Sequence, residues 1–377
     1  MNKVKIAYIA MGGVFPYSTS GPAIADYAII KGLYELGYDI EVFTKKPFTK
    51  KPYEGCNTPA DYYKRIKINY IESRLLTYLN FLKNFIRCLT RSKIVYFSSP
   101  PVTPILLLLF ILSKLFNKKT IYYLMGSLLN INKDTYKSKV FKYLIKHDAI
   151  YKVIMPLHCE REFKIIYGKS NRIVVIPHGI VIDAYENLKK ERLAGEVNIL
   201  FSGHLTQIKG ILDLVKAFIN IAREFDNVHL YITGTGNLKK TIQNFLTAMH
   251  LTEKVHLLGY VPYEKLKSLY TSVDIFVSPS LEENMSISML EAMTSGCAII
   301  CSDISAREVI EHGKNGLVFK AGDVEGLTHN LRELLLNKDK VNYYAEAAKM
   351  TIKKKFDYKI IAKKLDKILQ EISISQK

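Results

Sequence analysis

The stretch Ser278-Pro279-Ser280-Leu281-Glu282-Glu283-Asn284-Met285-Ser286-Ile287-Ser288-Met289-Leu290-Glu291-Ala292-Met293 holds two carboxylates, Glu283 and Glu291, eight positions apart. An apolar run, Ile275-Phe276-Val277, precedes it. The pattern reads as a buried strand, a sharp turn and a helix. In continuous helix the two carboxylates would stand about 12 Å apart along the axis. Glu283 is therefore expected in the loop or first turn and Glu291 two turns inward, both facing a cleft. Carboxylates so placed can accept hydrogen bonds from hydroxyls at two ends of one elongated ligand. Between them, near Met285, Ser286 and Ile287, the helix start offers backbone N–H groups that suit a phosphate. A sugar joined through a diphosphate to a ribonucleoside has that order of hydroxyls, anions and hydroxyls. The same spacing also describes a helix with an acidic first turn and one satisfied inner glutamate.

Further short segments occur along nearly the whole chain: Ser20-Gly21-Pro22, Ile176-Pro177-His178-Gly179, Phe201-Ser202-Gly203-His204 followed by Lys209-Gly210, Thr233-Gly234-Thr235-Gly236, and Leu258-Gly259-Tyr260-Val261. None is specific alone. In this order, with Glu283 and Glu291, they resemble the retaining glycosyltransferases of GT-B fold, in particular glycosyltransferase family 4.

The resemblance implies roles. Lys209, after a strand and short loop, matches a residue that binds the donor diphosphate, where an ammonium acts as a point charge. His204 stands where arginine is usual; neutral histidine donates one hydrogen bond but lacks the charge and fork of arginine. A surface-loop residue is the other reading of His204. Glu283 is implied to contact hydroxyls of the transferred sugar, and Glu291 the ribose. Tyr260 and Val261 match the place that holds the base, although Tyr260 also fits an ordinary strand end. Gly21 and Gly203 allow close backbone approach to phosphate or acceptor, because a Cβ would obstruct it. Gly12-Gly13 fits that use or a simple turn. Met125-Gly126-Ser127 departs from the histidine many family members carry after the fifth strand, and His147, His158 and His178 cannot be assigned that role. His178 reads as hinge structure. No Asp-x-Asp occurs, so no divalent metal or other cofactor is expected.

Alternating strand and helix patterns supply the elements that must hold these residues. Strands are expected near 4–10, 40–44, 66–71, 94–98, 120–124, 149–155 and 173–176, then near 198–202, 228–233, 255–258, 275–278, 298–301 and 317–319. This alternation, over a length too great for one ordinary core, predicts an α/β chain of two doubly wound Rossmann-like domains facing a cleft. The expected domains are 1–185, implied to bind the acceptor, and 196–355, implied to bind the nucleotide sugar. The charged segment 183–196 suits a linker. In the GT-B fold the last helix, 356–377, crosses back to the first domain. Gly-x-Gly-x-x-Gly is absent, which argues against a nicotinamide enzyme.

Of 377 residues, 48% are apolar and 24% charged, as in globular proteins. Five cysteines (Cys56, Cys88, Cys159, Cys297, Cys301), without a Cys-x-x-Cys pair, read as reduced thiols. The start of the chain reads as a strand running into a glycine turn rather than a secretory signal.

The net charge is +19, and residues 1–190 carry 30 Lys and Arg against 13 Asp and Glu. A basic half beside a nearly neutral one implies a large anionic partner. No nucleic-acid-binding pattern appears, whereas Leu75 to Lys93 alternates apolar and basic residues at helical spacing, as an interfacial helix does. The expected surface is an anionic membrane, at its cytoplasmic face. The apolar run around Ile105–Leu112 falls short of the ~20 residues of a membrane span; it fits a helix packed on the sheet or a membrane-dipping loop.

The reading is thus a cytoplasmic, peripherally membrane-bound retaining hexosyltransferase that moves a sugar from a nucleotide donor to a hydroxyl acceptor. That acceptor is expected to be a lipid-linked intermediate of bacterial surface polysaccharide synthesis. A non-catalytic subunit of the same fold, favoured by His204 and Met125, is the main rival. A phosphorylase or epimerase is a second, but no cofactor lysine or separate phosphate site is found for it.

Overall fold

The computed structural model describes residues 4–11, 20–45, 66–71, 75–98, 103–124, 139–140, 143–144, 146, 149–157, 159–160, 163–164 and 172–374. Gly12, Gly13, Cys56, Met125, Gly126, Ser127, His147 and His158 lie outside them. The chain divides into two units, Met1–Ile180 with Tyr358–Lys377, and Val181–Asp357.

In the first unit, β1 (Lys5–Ala10), β2 (Asp39–Lys45), β3 (Lys67–Ile71), β4 (Ile94–Phe97), β5 (Lys119–Tyr123), β6 (Lys152–Met155) and β7 (Ile173–Val175) form one parallel sheet, ordered β3-β2-β1-β4-β5-β6-β7. Most of their side chains are apolar because helices cover both sides of such a sheet. One covering helix, Gly21–Glu35, is capped by Ser20, whose Oγ accepts from the Ala23 N–H at 3.4 Å. It stops two residues before Gly37, whose φ is 87°. Gly21 is its first residue.

The last helix, Tyr358–Ile374, packs on Gly21–Glu35 so closely that a Cβ on Gly32 would lie 2.5 Å from that of Ala362. Gly179 meets the same helix, and the Tyr358 N–H donates to the Ile180 carbonyl at 3.0 Å. His178 is buried, with Nδ1 2.9 Å from the Tyr123 hydroxyl.

The apolar run forms the helix Pro104–Leu115, with Leu106, Leu109 and Phe110 buried among Phe81, Phe85, Cys88 and Leu89 of the helix Leu75–Arg91 and its neighbours. Of the two readings of this run, packing against the sheet is observed. No helix among the described residues is long and apolar enough to cross a membrane. Cys88, Cys159, Cys297 and Cys301 are buried and none of them is in a disulfide.

The second unit repeats the plan with β8 (Val197–Ser202), β9 (Val228–Thr233), β10 (Val255–Gly259), β11 (Ile275–Ser278), β12 (Ala298–Ser302) and β13 (Leu317–Phe319), ordered β10-β9-β8-β11-β12-β13. Its core runs from Ile199 and Phe201 through Leu214 and Phe218 to Leu327 and Leu331. Residues 183–196 fall in this unit, and their first part is a short 3-10 turn, Ile182–Tyr185, with Tyr185 buried. The strand order reverses between β8 and β11. In doubly wound sheets that reversal opens a crevice at the carboxyl ends of the strands.

Candidate functional site

Two loops meet at that reversal. After β8 the chain runs through Gly203 and His204 into a 3-10 turn, Gln207–Lys209, and then the helix Ile211–Glu224. After β11 it turns through Pro279 to Met285 into the helix Ile287–Ser295. The Leu281 and Glu282 N–H groups both donate to the Ile208 carbonyl, at 2.8 and 3.2 Å. Gly210, with φ 63°, makes the approach possible: a Cβ there would stand 1.9 Å from the Pro279 carbonyl oxygen.

This splice brings Lys209 to Glu283. Nζ lies 2.6 Å from Oε2, and the Ser280 hydroxyl donates to the same oxygen at 3.3 Å. The Asn284 N–H donates to Oε1 at 3.2 Å. Both side chains are partly buried, at 26% and 13% exposure, so the pair is less screened than a surface ion pair. Beneath it, the Ser302 hydroxyl donates to the Ser280 carbonyl at 2.7 Å, holding the loop to β12.

The helix start falls where the sequence predicts it. Ser286 is the N-cap, its Oγ accepting from the Met289 N–H at 3.3 Å. Met285, Ser286 and Ile287 are buried. The first-turn N–H groups of Ile287 and Ser288 have no acceptor within the helix. These N–H groups place a partial positive charge at the helix start.

Glu291 departs from the cleft-facing reading and fits the other one, a satisfied inner glutamate. It is the fifth helical residue, but it is only 3% exposed and does not lie open for a ribose. Tyr185 donates to Oε1 at 2.6 Å, and Tyr270 to Oε2 at 3.3 Å. The Tyr263 hydroxyl lies 2.8 Å from that of Tyr185. Burial pushes the Glu291 carboxyl above its ordinary pKa, while the tyrosine hydroxyls and, more distantly, Lys267 pull it down. Lys267 is itself buried and paired with Glu264 at 2.7 Å. The glutamate spacing carries no information on these three tyrosines. Tyr263 and Tyr270, seven apart on one helix, share a face, a signal that could have found them. Nothing local marks Tyr185.

The remaining residues sit at the carboxyl ends of neighbouring strands. His204 is exposed on the loop after β8. The Gly203 N–H is already used, donating to the Thr233 carbonyl at 3.2 Å. Tyr260, 57% exposed, and the half-buried Val261 follow β10. Gly21 belongs to the first unit. No group of three or more His, Cys, Asp or Glu side chains arranged to hold a metal occurs among the described residues.

Comparison with known proteins agrees with this layout. Residues 184–351 match the family model described as glycosyl transferases group 1. The chain is 27% identical over 208 residues to an uncharacterised glycosyltransferase of Methanocaldococcus jannaschii, covering 53% of each chain. It is 26% identical over 211 residues to the amylovoran biosynthesis glycosyltransferase AmsK of Erwinia amylovora, covering 54% of this chain and 52% of that one. The chain thus spans about half the length of these curated relatives. In structure it is similar to Anabaena HepE, solved in complex with UDP and glucose, with a TM-score of 0.76 at 17% identity, covering 98% of this chain and 100% of that one. The fold is GT-B, built from two Rossmann-like domains with parallel sheets. The match to the group 1 glycosyltransferase model falls within the second unit.

Proposed function

We propose that the protein is a retaining glycosyltransferase of family 4 type, moving a hexose from a nucleotide donor to a hydroxyl acceptor without a metal ion. The observation that carries this reading is the Lys209–Glu283 pair, set by two spliced loops at the point where the second sheet reverses. In the free protein each satisfies the other. A donor lying between them replaces one contact with two, Lys209 to diphosphate and Glu283 to a sugar hydroxyl. Breaking the bond from the sugar C1 to the diphosphate puts charge on the leaving group, where Lys209, His204 and the helix start at Ile287 stabilise it. The acceptor oxygen bonds to C1 on the same face, and its proton passes to the leaving phosphate. Tyr260 and Val261 border the base, and Glu291 takes the ribose. The first unit, with Gly21, binds the acceptor. The UDP in HepE supports a nucleotide donor, and the naming of AmsK for amylovoran biosynthesis supports a polysaccharide product.

Calorimetry with uridine, guanosine and adenosine diphosphate sugars tests this reading. At least one is expected to bind and to be turned over, with no change on adding chelator. Loss of turnover with chelator would remove the metal-free mechanism, and no binding at all would favour a non-catalytic subunit.

The lipid-linked acceptor rests on a surface of the first unit. The helix Leu75–Arg91 exposes Leu75, Leu76, Leu79 and Ile86 at 72%, 77%, 52% and 39%, beside exposed Lys83, Arg87 and Arg91. Apolar side chains that enter the acyl boundary and basic ones that meet headgroups make this a peripheral membrane contact at the cytoplasmic face. The full chain is expected to bind vesicles containing anionic lipid and to release as salt rises, each basic residue contributing roughly 1 kcal/mol within a Debye length. Reversing Lys83, Arg87 and Arg91 to Glu should abolish that binding while donor affinity stays unchanged. Equal binding to neutral vesicles, or to DNA, would rule out this surface as the membrane contact.

A further inference from the structure

Glu291 is enclosed by three phenol hydroxyls that are held with unequal firmness. Tyr270 lies inside the helix Tyr263–Ser272, is 0% exposed, packs its ring on Phe276 at 5.8 Å between centroids, and accepts from the Cys297 thiol through its carbonyl at 3.1 Å. Tyr263 opens the same helix, its ring 5.4 Å from the Lys267 ammonium. Tyr185 is different. It ends a four-residue 3-10 turn with extended backbone on both sides, at Val181 and Glu186, whereas Tyr263 begins a ten-residue α-helix. A short turn between extended segments opens at lower free energy than a longer helix packed on its sheet. Of the three hydroxyls, that of Tyr185 is therefore the one that can leave with least disturbance.

It also makes the shortest bond to the carboxylate, 2.6 Å against 3.3 Å for Tyr270. At 3% exposure, Glu291 leaves little room for a further donor while Tyr185 is in place. We propose that Tyr185 is a specificity-determining residue whose hydroxyl holds, in the free protein, the Glu291 oxygen that a ribose hydroxyl takes when the donor is bound. This rests on the reading of Glu291 as the ribose acceptor. The exchange conserves hydrogen bonds only for a ligand that brings a hydroxyl of its own. A nucleotide lacking one leaves Tyr185 where it is, and the site selects ribose by this competition.

The test is calorimetry of UDP, GDP and ADP, and of their 2′,3′-dideoxy counterparts, with the wild-type chain and with Tyr185→Phe, Tyr263→Phe and Tyr270→Phe. Tyr185→Phe keeps the ring and removes the competing donor. It is expected to tighten the preferred ribonucleotide roughly fivefold, the scale of one net hydrogen bond, and to leave its dideoxy form unchanged. Tyr263→Phe removes the neighbour that steadies the Tyr185 hydroxyl, so it should shift affinity in the same direction and provides a second route if Tyr185→Phe folds poorly. Tyr270→Phe should bring no gain. Equal effects on ribose and dideoxy ligands would make Tyr185 a packing residue. Weaker ribonucleotide binding by Tyr185→Phe at an unchanged melting temperature would show that it positions Glu291 instead of competing with ribose. Either result overturns the proposal but not the donor site. If no nucleotide binds any of the four proteins, both fall together.

Discussion

Replacing Lys209 by methionine is expected to lower turnover at least a hundredfold while changing nucleotide affinity far less. The charge that develops on a departing diphosphate is the quantity the ammonium stabilises, and deleting one such preorganised group typically costs 10²–10³ in rate. The structure makes the result separable from a folding defect. In the free protein Lys209 is the cationic partner of Glu283 at 2.6 Å, so Lys209→Met alone leaves a partly buried carboxylate without its counter-charge. The melting temperature should fall, by an amount worth about 1–2 kcal/mol. Adding Glu283→Gln relieves the unpaired charge and should restore most of that stability, while turnover stays low. Recovery of activity in the double variant would mean that the pair is structural and that neither residue touches the donor.

Glu291→Gln is expected to damage both binding and folding. A glutamine cannot present two acceptor oxygens to Tyr185 and Tyr270, and its amide group meets at least one hydroxyl that was donating. A buried mismatch of this kind costs about 1–3 kcal/mol, which lowers the melting temperature by several degrees. Nucleotide affinity should drop by about tenfold or more from loss of the ribose contact. The pH dependence follows from the sign of the shift. Burial holds the Glu291 pKa above its value in the unfolded chain. Its contribution to stability is therefore fully present below the ordinary carboxylate pKa and is lost as pH rises through the folded value. Melting temperatures of wild type and Glu291→Gln, measured from acid to neutral pH, should converge as pH rises. Parallel curves would mean that Glu291 does not titrate with a raised pKa.

Much of the fold was legible in the residues because parallel strands, buried on both faces, write themselves as short apolar runs between helical patterns. All of the expected strands appear, and Gly37 and Ser286 mark helix ends where capping chemistry demands them. The site was only half legible. Spacing put Glu283 in a loop and Glu291 in a helix, but it said nothing of what reaches them across sequence. The Lys209–Glu283 pair joins residues 74 apart in sequence, and Tyr185 is 106 from Glu291. Such partners follow from strand order and from Gly210 letting one loop rest on another. A glutamate that one reading of the spacing turns toward a cleft, and the other satisfies inside a helix, becomes in the fold one of the most enclosed groups of the second unit.

The last helix has a consequence for synthesis. Tyr358–Ile374 packs over Gly32 and Gly179 of the first unit, yet it is made only after the whole of the second unit. The second unit is continuous in sequence and can close its core while the first still lacks a wall. A nascent chain therefore carries an unfinished amino-terminal half, with the surfaces at Gly32 and Gly179 uncovered, until Tyr358–Ile374 emerges. A fragment cut near residue 185 would keep that defect permanently.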